Sequence, residues 1–370
     1  MGPMPEPLKD FVDIDLVKRL GERMQLVYPG FARDEFVRQV NAVLPDLELK
    51  DRMAAIAGAL AERLPAAFPE AVALVVEALE SAETPLSGWE AWPLATYIEL
   101  CGTGHPAESL DAMERVSPFM SCEMAIRPFL ERYPEWTFER LERWVDHPDA
   151  SVRRLVSEGT RPLLPWGKRV AALREDPLPG IRLIERLRDD PSEDVRRSVA
   201  NHLNDVSKDH PELAVETARR WAKEGSVHTQ RLLEHALRTL VKKGNPGALE
   251  VLGFTTAAEV EVDAFVCRPT EVPIGGEVEL RARLRSTSGN DQHLVVDYIV
   301  HYVKRDGSSR PKVFKWKTLD LAAGAEIGLR RKQHVQDQST RIHHPGLHRV
   351  ELQVAGVVAA ETAFELLPAR

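Results

Sequence analysis

Cysteine is scarce. The three residues Cys101, Cys122 and Cys267 stand far apart with no C-x-x-C pair, which excludes a disulfide framework and a thiolate zinc site and leaves buried free thiols. No apolar run approaches the roughly 18 residues of a membrane span. The first residues also lack the basic and apolar regions of a secretory signal, so the expectation is a soluble, cytoplasmic protein. Three motifs are missing as well: the phosphate-cradling G-x-x-x-x-G-K-[ST] loop, the H-E-x-x-H zinc helix and the G-x-S-x-G nucleophile elbow. Without them, P-loop phosphoryl transfer, zinc proteolysis and serine hydrolysis have no candidate residues.

What is present is enough apolar material, 43% of 370 residues, to fill two domains or one long repeat array. The net charge of -8 hides a division. Residues 1–150 carry 14 Lys and Arg against 27 Asp and Glu, residues 151–243 carry 19 against 14, and residues 304–349 carry 11 against 4. Blocks of this kind are often solvated faces. Two of them in an acidic chain favour a localised polyanion site.

Up to about residue 252 the apolar residues recur at helical spacing, as in Leu16, Leu20, Met24 and Val27, or Met53, Ile56, Ala57, Leu60 and Leu64. Helix starts are expected at Ser117-Pro118, at Asp149 and at Ser192. The text Asp146-His-Pro148-Asp-Ala-Ser-Val152-Arg153-Arg154 returns 43 residues later as Asp189-Asp-Pro191-Ser-Glu-Asp-Val195-Arg196-Arg197. That displacement falls within the roughly 40–47 residues of a HEAT-type helix pair, which must stack on its neighbours to bury its apolar face. After Gly253 the pattern changes to alternation, in Val260–Val266, Val278–Leu284, Leu294–Tyr302, Lys312–Lys317 and His348–Val354, with Gly and Pro turns between. The fold class is therefore multidomain: an all-α HEAT-like repeat solenoid over 1–253, then an all-β immunoglobulin-like sandwich over 258–370.

With Val195, Val199, Leu203 and Val206 on the apolar face of one helix, Arg197, Asn201, Asp205 and Lys208 fall opposite or on its flank. In the preceding repeat Arg154, Glu158 and Arg161 take the corresponding face. Such faces can be plain solvated surface, but repeated arginines lining a HEAT groove would track a phosphate backbone. Trp166 follows two prolines and precedes Gly167-Lys168-Arg169, on a loop bracketed by cations. It is either a packing anchor or a ring that stacks on a nucleotide. Glu123 lies about six residues into the helix expected from Pro118.

The run Ser151-Val-Arg-Arg-Leu-Val-Ser-Glu158-Gly-Thr-Arg161-Pro-Leu-Leu-Pro-Trp166, the run from Asp190 through Asn201 to Asp205, and His235-Ala-Leu-Arg238 with Lys242-Lys243 together resemble the AlkC branch of the AlkC/AlkD HEAT-like DNA glycosylases. The segment His344-Pro-Gly-Leu-His348 to Val354 is similar to the immunoglobulin-like domain appended in some AlkC proteins. The resemblance implies a monofunctional glycosylase that removes N3-methyladenine and N3-methylcytosine from duplex DNA, with no cofactor. Alkylation makes the base a cationic leaving group, so no general acid is needed. Carried over by position, Asp205 would be the principal carboxylate and Trp166 the ring against the lesion sugar, with Glu123 and Glu158 completing an acidic cleft. DNA contacts are then expected from Arg154, Arg161, Lys168, Arg169, Arg197, Asn201, Lys208, Arg238, Lys242 and Lys243.

In the C-terminal segment, His343-His344 with His348 has superficial metal spacing, but its Pro-Gly turn reads as a hairpin and no metal is expected. Arg341, His343 and His344 are read instead as a loop near the duplex. The expected partner is double-stranded DNA carrying alkylated bases, bound by a monomer away from membranes. The alternative is a HEAT scaffold that binds DNA or protein without catalysis, in which Asp205 and Trp166 are structural.

Overall fold

A computed structural model describes residues 7–81, 86–337 and 342–369. The chain divides into two compact units, Met1–Asp209 and His210–Arg370. Among the described residues, the regular elements of unit 1 are all helices. Its first helices are α1 (Ile14–Val27), α2 (Arg33–Val43), α3 (Leu49–Ala61), α4 (Phe68–Glu80), α5 (Trp92–Cys101) and α6 (Pro106–Val116). There follow α7 (Arg127–Arg132), α8 (Pro134–Trp144), α9 (Ala150–Gly159), α10 (Ala171–Glu175), α11 (Leu178–Leu187) and α12 (Glu193–Asp209). The stripes read from spacing are buried at Leu16, Leu20 and Met24 on α1 and at Met53, Ile56, Ala57 and Leu60 on α3, while Val27 is only half-buried and Leu64 is buried beyond the end of α3.

The repeated Asp-Pro-Val-Arg-Arg text has a physical reason. Val152 and Val195 are fully buried. The first arginine of each pair staples its own repeat: Arg153 Nη1 donates to the carbonyls of His147 (2.8 Å) and Pro148 (2.9 Å), and Arg196 Nη1 to that of Pro191 (2.9 Å). Arg153 also grips the buried Asp190 carboxylate of the next repeat through Nε at 2.6 Å and Nη2 at 3.0 Å. Such a bidentate pair fixes orientation as well as distance. Only the second arginines, Arg154 and Arg197, are left for the working face.

Of the expected helix starts, Asp149 caps α9 by accepting from Ser151 N at 2.7 Å, and Ser192 immediately precedes α12. No helix begins at Ser117-Pro118. Ser117 instead closes α6, its hydroxyl donating to the Met113 carbonyl at 2.6 Å. Glu123 therefore stands in the turn before α7 rather than on a helix.

Unit 2 opens with α13 (Pro211–Glu224), α14 (Val227–Ala236), α15 (Arg238–Lys242) and α16 (Pro246–Val251). Among the described residues eight strands follow: β1 (Val260–Arg268), β2 (Glu271–Pro273), β3 (Glu277–Ser286), β4 (Gln292–Val303), β5 (Ser309–Leu321), β6 (Glu326–His334), β7 (Gly346–Val354) and β8 (Val357–Leu367). They form a three-stranded sheet, β1-β3-β6, and a five-stranded sheet, β2-β8-β7-β4-β5. The pairing is antiparallel except for the short β2, which runs parallel to β8. Alternate residues such as Leu280 and Leu284 of β3 meet Val296, Tyr298 and Val300 of β4 and Phe364 of β8 in one core. All five strand segments read from alternation lie in observed strands.

The change of texture near residue 253 marks a change of secondary structure, whereas the division by packing comes earlier, after Asp209. Leu249 of α16 clusters with Val295 and Ala355, and Gly244 approaches Gly356 so closely that a Cβ on Gly244 would lie 2.5 Å from the Gly356 Cα. The end of the helical segment, at Gly244 and Leu249, thus packs with the strands. Among the described residues, no helix is long and apolar enough to cross a membrane.

Candidate active site

The two repeats bring their second helices together. Ser157 Oγ on α9 donates to Ser198 Oγ on α12 at 2.6 Å, and Ser198 Oγ donates to Glu158 Oε2 at 2.6 Å. This contact buries the flank of α12 that carries Asp205. From there an alternating chain of charges runs through unit 1. Glu123 Oε2 accepts from Arg154 Nη1 at 2.8 Å, and Arg154 Nη2 lies 3.9 Å from Glu158 Oε2. Arg161 Nη1 donates to Glu158 Oε1 at 2.5 Å, and its Nε donates to Asp205 Oδ2 at 2.8 Å. Lys208 Nζ closes the series on Asp205 Oδ1 at 2.9 Å.

Three carboxylates and three cations give no formal net charge, which lets the middle of the chain be buried. Asp205 is 1% exposed, and Glu158 and Arg161 are also buried, while Glu123 with Arg154 at one end and Lys208 at the other reach the surface. Burial pulls on the Arg161 guanidinium, yet Glu158 and Asp205 outweigh it and hold its pKa above the ordinary arginine value.

This placement corrects the helical-wheel reading. Asp205 does not sit on a solvated face beside Arg197; it is buried against Arg161. Arg197 is exposed and pairs with Glu193 at 3.0 Å and Asp194 at 3.4 Å. Arg161 is not on α9 at all, because the helix ends at Gly159; its side chain turns inward to the two carboxylates. Buried in this way, Arg161 cannot reach a phosphate backbone. Asn201 is half-buried on α12.

The loop after α9 carries Trp166, which is 56% exposed and has φ of 62°. A non-glycine residue there bears a cost of about 1–2 kcal/mol, and it persists only where its surroundings impose it. Three residues with no motif of their own impose it here. Lys50 Nζ of α3 donates to the Trp166 carbonyl at 2.7 Å. Trp92 of α5 lies parallel to the Trp166 ring, 7° between planes and 6.4 Å between centroids. Arg127 of α7, fully buried, donates to the carbonyls of Gly159, Arg161 and Lys168, each at 2.8 Å. Burial, with Arg169 and Arg161 nearby, pulls the Arg127 guanidinium down to about 10.

A cleft of about 410 Å³ beside the loop is lined by Lys50, Trp92, Glu99, Met124, Trp166 and Lys168 among others. Met124, which follows Glu123 in the chain, lines this cleft, while Ser121 and Arg154, the partners of Glu123, line another. Burial pushes the Glu99 carboxyl above the ordinary carboxylate range, against the pull of Lys50 and Lys168. Lys168 and Arg169 are exposed, and Lys168 pairs with Glu131.

The remaining expected contacts belong to unit 2. Arg238 is half-buried and donates to the His235 carbonyl, while Lys242 and Lys243 are exposed. Arg341 lies outside the described residues. His343 does not stand on an exposed loop: its ring is buried, 3.2 Å from Asp337 Oδ1 and edge-on to Tyr302. Packing against Tyr302 takes its ring off the surface, whereas His344 is half-buried.

Comparison with known proteins agrees with this architecture. Residues 261–368 match the family described as the C-terminal Ig-like domain of the uncharacterised protein YhaZ. The chain is 34% identical to YhaZ of Bacillus subtilis (strain 168) over 361 residues, 97% of this chain and 99% of that one. It is similar in structure to the alkylpurine DNA glycosylase AlkC of Pseudomonas fluorescens bound to DNA containing an abasic site analogue, with a TM-score of 0.92, 35% identity, and coverage of 98% of this chain and 99% of that one. By these identities and coverages, the chain belongs to the AlkC branch of the AlkC/AlkD HEAT-like DNA glycosylases, in the group that includes YhaZ and carries a C-terminal immunoglobulin-like domain.

Proposed function

We propose that the protein is a DNA glycosylase that hydrolyses the N-glycosidic bond of cationic alkylated bases, N3-methyladenine and N3-methylcytosine, in duplex DNA. The observation that carries this reading is the assembly of Glu123, Glu158 and Asp205, far apart in sequence, into one charge chain through Arg161, whose own loop also carries an exposed tryptophan. The DNA-bound state of the AlkC neighbour supports it.

Cleavage of the bond between the sugar and an alkylated base leaves the electron pair on the base, which departs neutral, and the positive charge on the sugar. A carboxylate facing that charge in a water-poor site lowers the barrier. Water then bonds to the sugar carbon and gives up its proton to a carboxylate. Trp166 covers the lesion nucleotide.

Lys208 explains how a buried Asp205 takes part. Its ammonium rests on Asp205 Oδ1, a contact that the cationic sugar would have to replace. A DNA phosphate that draws this lysine outward leaves the carboxylate with unmatched charge toward the sugar. The arginines Arg154 and Arg197, with Lys168 and Arg169, hold the backbone.

The test is to incubate the protein with methylated duplex DNA and measure free base and abasic sites. Release of N3-methyladenine and N3-methylcytosine is expected. DNA binding without release would favour the non-catalytic scaffold.

A further inference from the structure

Lys50 and Trp92 contribute to no charge chain and belong to no repeat motif, yet both bear on one strained residue. We infer that they are positioning residues that hold Trp166 in its working orientation, Lys50 through the backbone and Trp92 through the ring. The inference rests on the reading of Trp166 as the ring that meets the lesion nucleotide.

The loop has little means of holding Trp166 by itself. Pro165 has no N–H to donate, and Gly167 folds back so tightly that a Cβ there would meet Leu164 at 2.6 Å. Arg127 secures the loop at Gly159, Arg161 and Lys168, which fixes its ends and leaves the tip at Trp166. At that tip the carbonyl takes its hydrogen bond from Lys50 of α3, 116 residues earlier in the chain. An ammonium donor to a carbonyl is charge-assisted and stronger than a neutral pair. The left-handed backbone therefore has a specific external support.

Trp92 supplies the second support. It is buried at the start of α5 and flanked by Trp89, whose ring centroid lies 5.5 Å away. An aromatic fixed in a helix gives the exposed Trp166 indole a rigid parallel neighbour. Parallel aromatic contacts of this kind have a preferred geometry and resist tilting. With the backbone held by one element and the ring by another, the exposed indole is presented in a defined direction. A ring placed by about an ångström is what positioning catalysis requires.

The experiment uses the full-length protein labelled with 5-fluorotryptophan. Its Trp166 resonance is identified by the signal missing from Trp166→Phe. Lys50→Met is expected to shift and broaden that resonance, Trp92→Leu to shift it, and Lys50→Arg to leave it in place, since arginine keeps a charged donor. In single-turnover assays on a lesion duplex, Lys50→Met should lower the excision rate about tenfold while the Kd and its salt slope stay within a factor of about two, and Lys50→Arg should restore the rate. In a Trp166→Ala background, Lys50→Met should cost nothing further, because a residue that acts through the ring has nothing left to act on. An unmoved Trp166 resonance in Lys50→Met overturns the inference whatever the activity. So does a fully additive loss in the double variant. Wild-type excision by Trp166→Ala would overturn the catalytic reading of the ring instead.

Discussion

Replacing Asp205 by asparagine removes one negative charge from the most deeply buried link of the series. The side chain keeps nearly the same shape and an oxygen that can still accept from Arg161 Nε, now 2.8 Å away. What is lost is charge. Two unit charges about 4 Å apart at an effective dielectric of ~20 interact by ~4 kcal/mol, and removing one member of a buried pair typically costs about 3–5 kcal/mol of stability. The Lys208 contact adds less, because that lysine is partly exposed and its interaction is screened. A transition-state carbocation that loses its facing carboxylate should lose about 3 kcal/mol of stabilisation, a rate loss on the order of 10²–10³-fold. The assay is single-turnover excision beside a thermal melt and a Kd for the same duplex. Arg161→Gln is the companion variant, since it breaks the same pair from the other side while leaving the Asp205 charge. The expected pattern is similar destabilisation in both variants, with the large rate loss confined to Asp205→Asn and little change in Kd. Near wild-type excision by a folded Asp205→Asn protein would refute the reasoning and move the catalytic role to Glu123 or Glu158. Equal rate losses in the two variants would make the charge chain structural only.

Trp166→Ala should weaken excision and binding together by roughly 1–3 kcal/mol; circular dichroism separates that from unfolding. Arg197→Ala should reduce the slope of log K against log salt by about one unit on duplex DNA, and an unchanged slope would place the phosphate elsewhere. Burial pulls the His202 imidazole down to about 4, with Nδ1–H donating to the Ser157 carbonyl at 3.0 Å. Between that value and the ordinary 6.5 the unfolded chain binds a proton that the native state refuses, so stability falls as pH drops through this window, by on the order of 3 kcal/mol in all. Urea midpoints at pH 7.5 and 4.5 check this, and His202→Gln should flatten the difference. A chain ending at Asp209 should melt cooperatively, whereas one ending at Gly253 retains α13–α16 without the Val295 and Ala355 contacts of Leu249 and should show protease-sensitive helices. Equal protection of those helices in both full-length and shortened chains would contradict that division.

Local patterns in the sequence determined the secondary structure and most of its buried faces. Spacing at 3.6 residues marked Leu16, Leu20 and Met24, alternation marked Leu280 and Leu284, and a 43-residue echo marked the paired helices, because each of these depends on neighbours in the chain. Asp205 and Glu158 were raised as candidates by helix spacing and Trp166 by its cation-bracketed loop, and the family resemblance gave them roles without placing them. Tertiary structure decided what those residues touch. A helical wheel gives a direction around one axis but not which neighbour covers that flank, so Asp205 read as solvated until α9 packed against α12 and Arg161 turned inward from beyond its helix. Ser117-Pro118 has the form of a helix start, yet the preceding helix claims Ser117 through its hydroxyl. Lys50, Trp92 and Arg127 could not be found from spacing, because their partners lie in distant parts of the chain and their bonds are to backbone carbonyls, which every sequence possesses. Local periodicity is fixed by covalent geometry, whereas the orientation of Trp166 and the burial of Asp205 arise only when separate helices close on one loop.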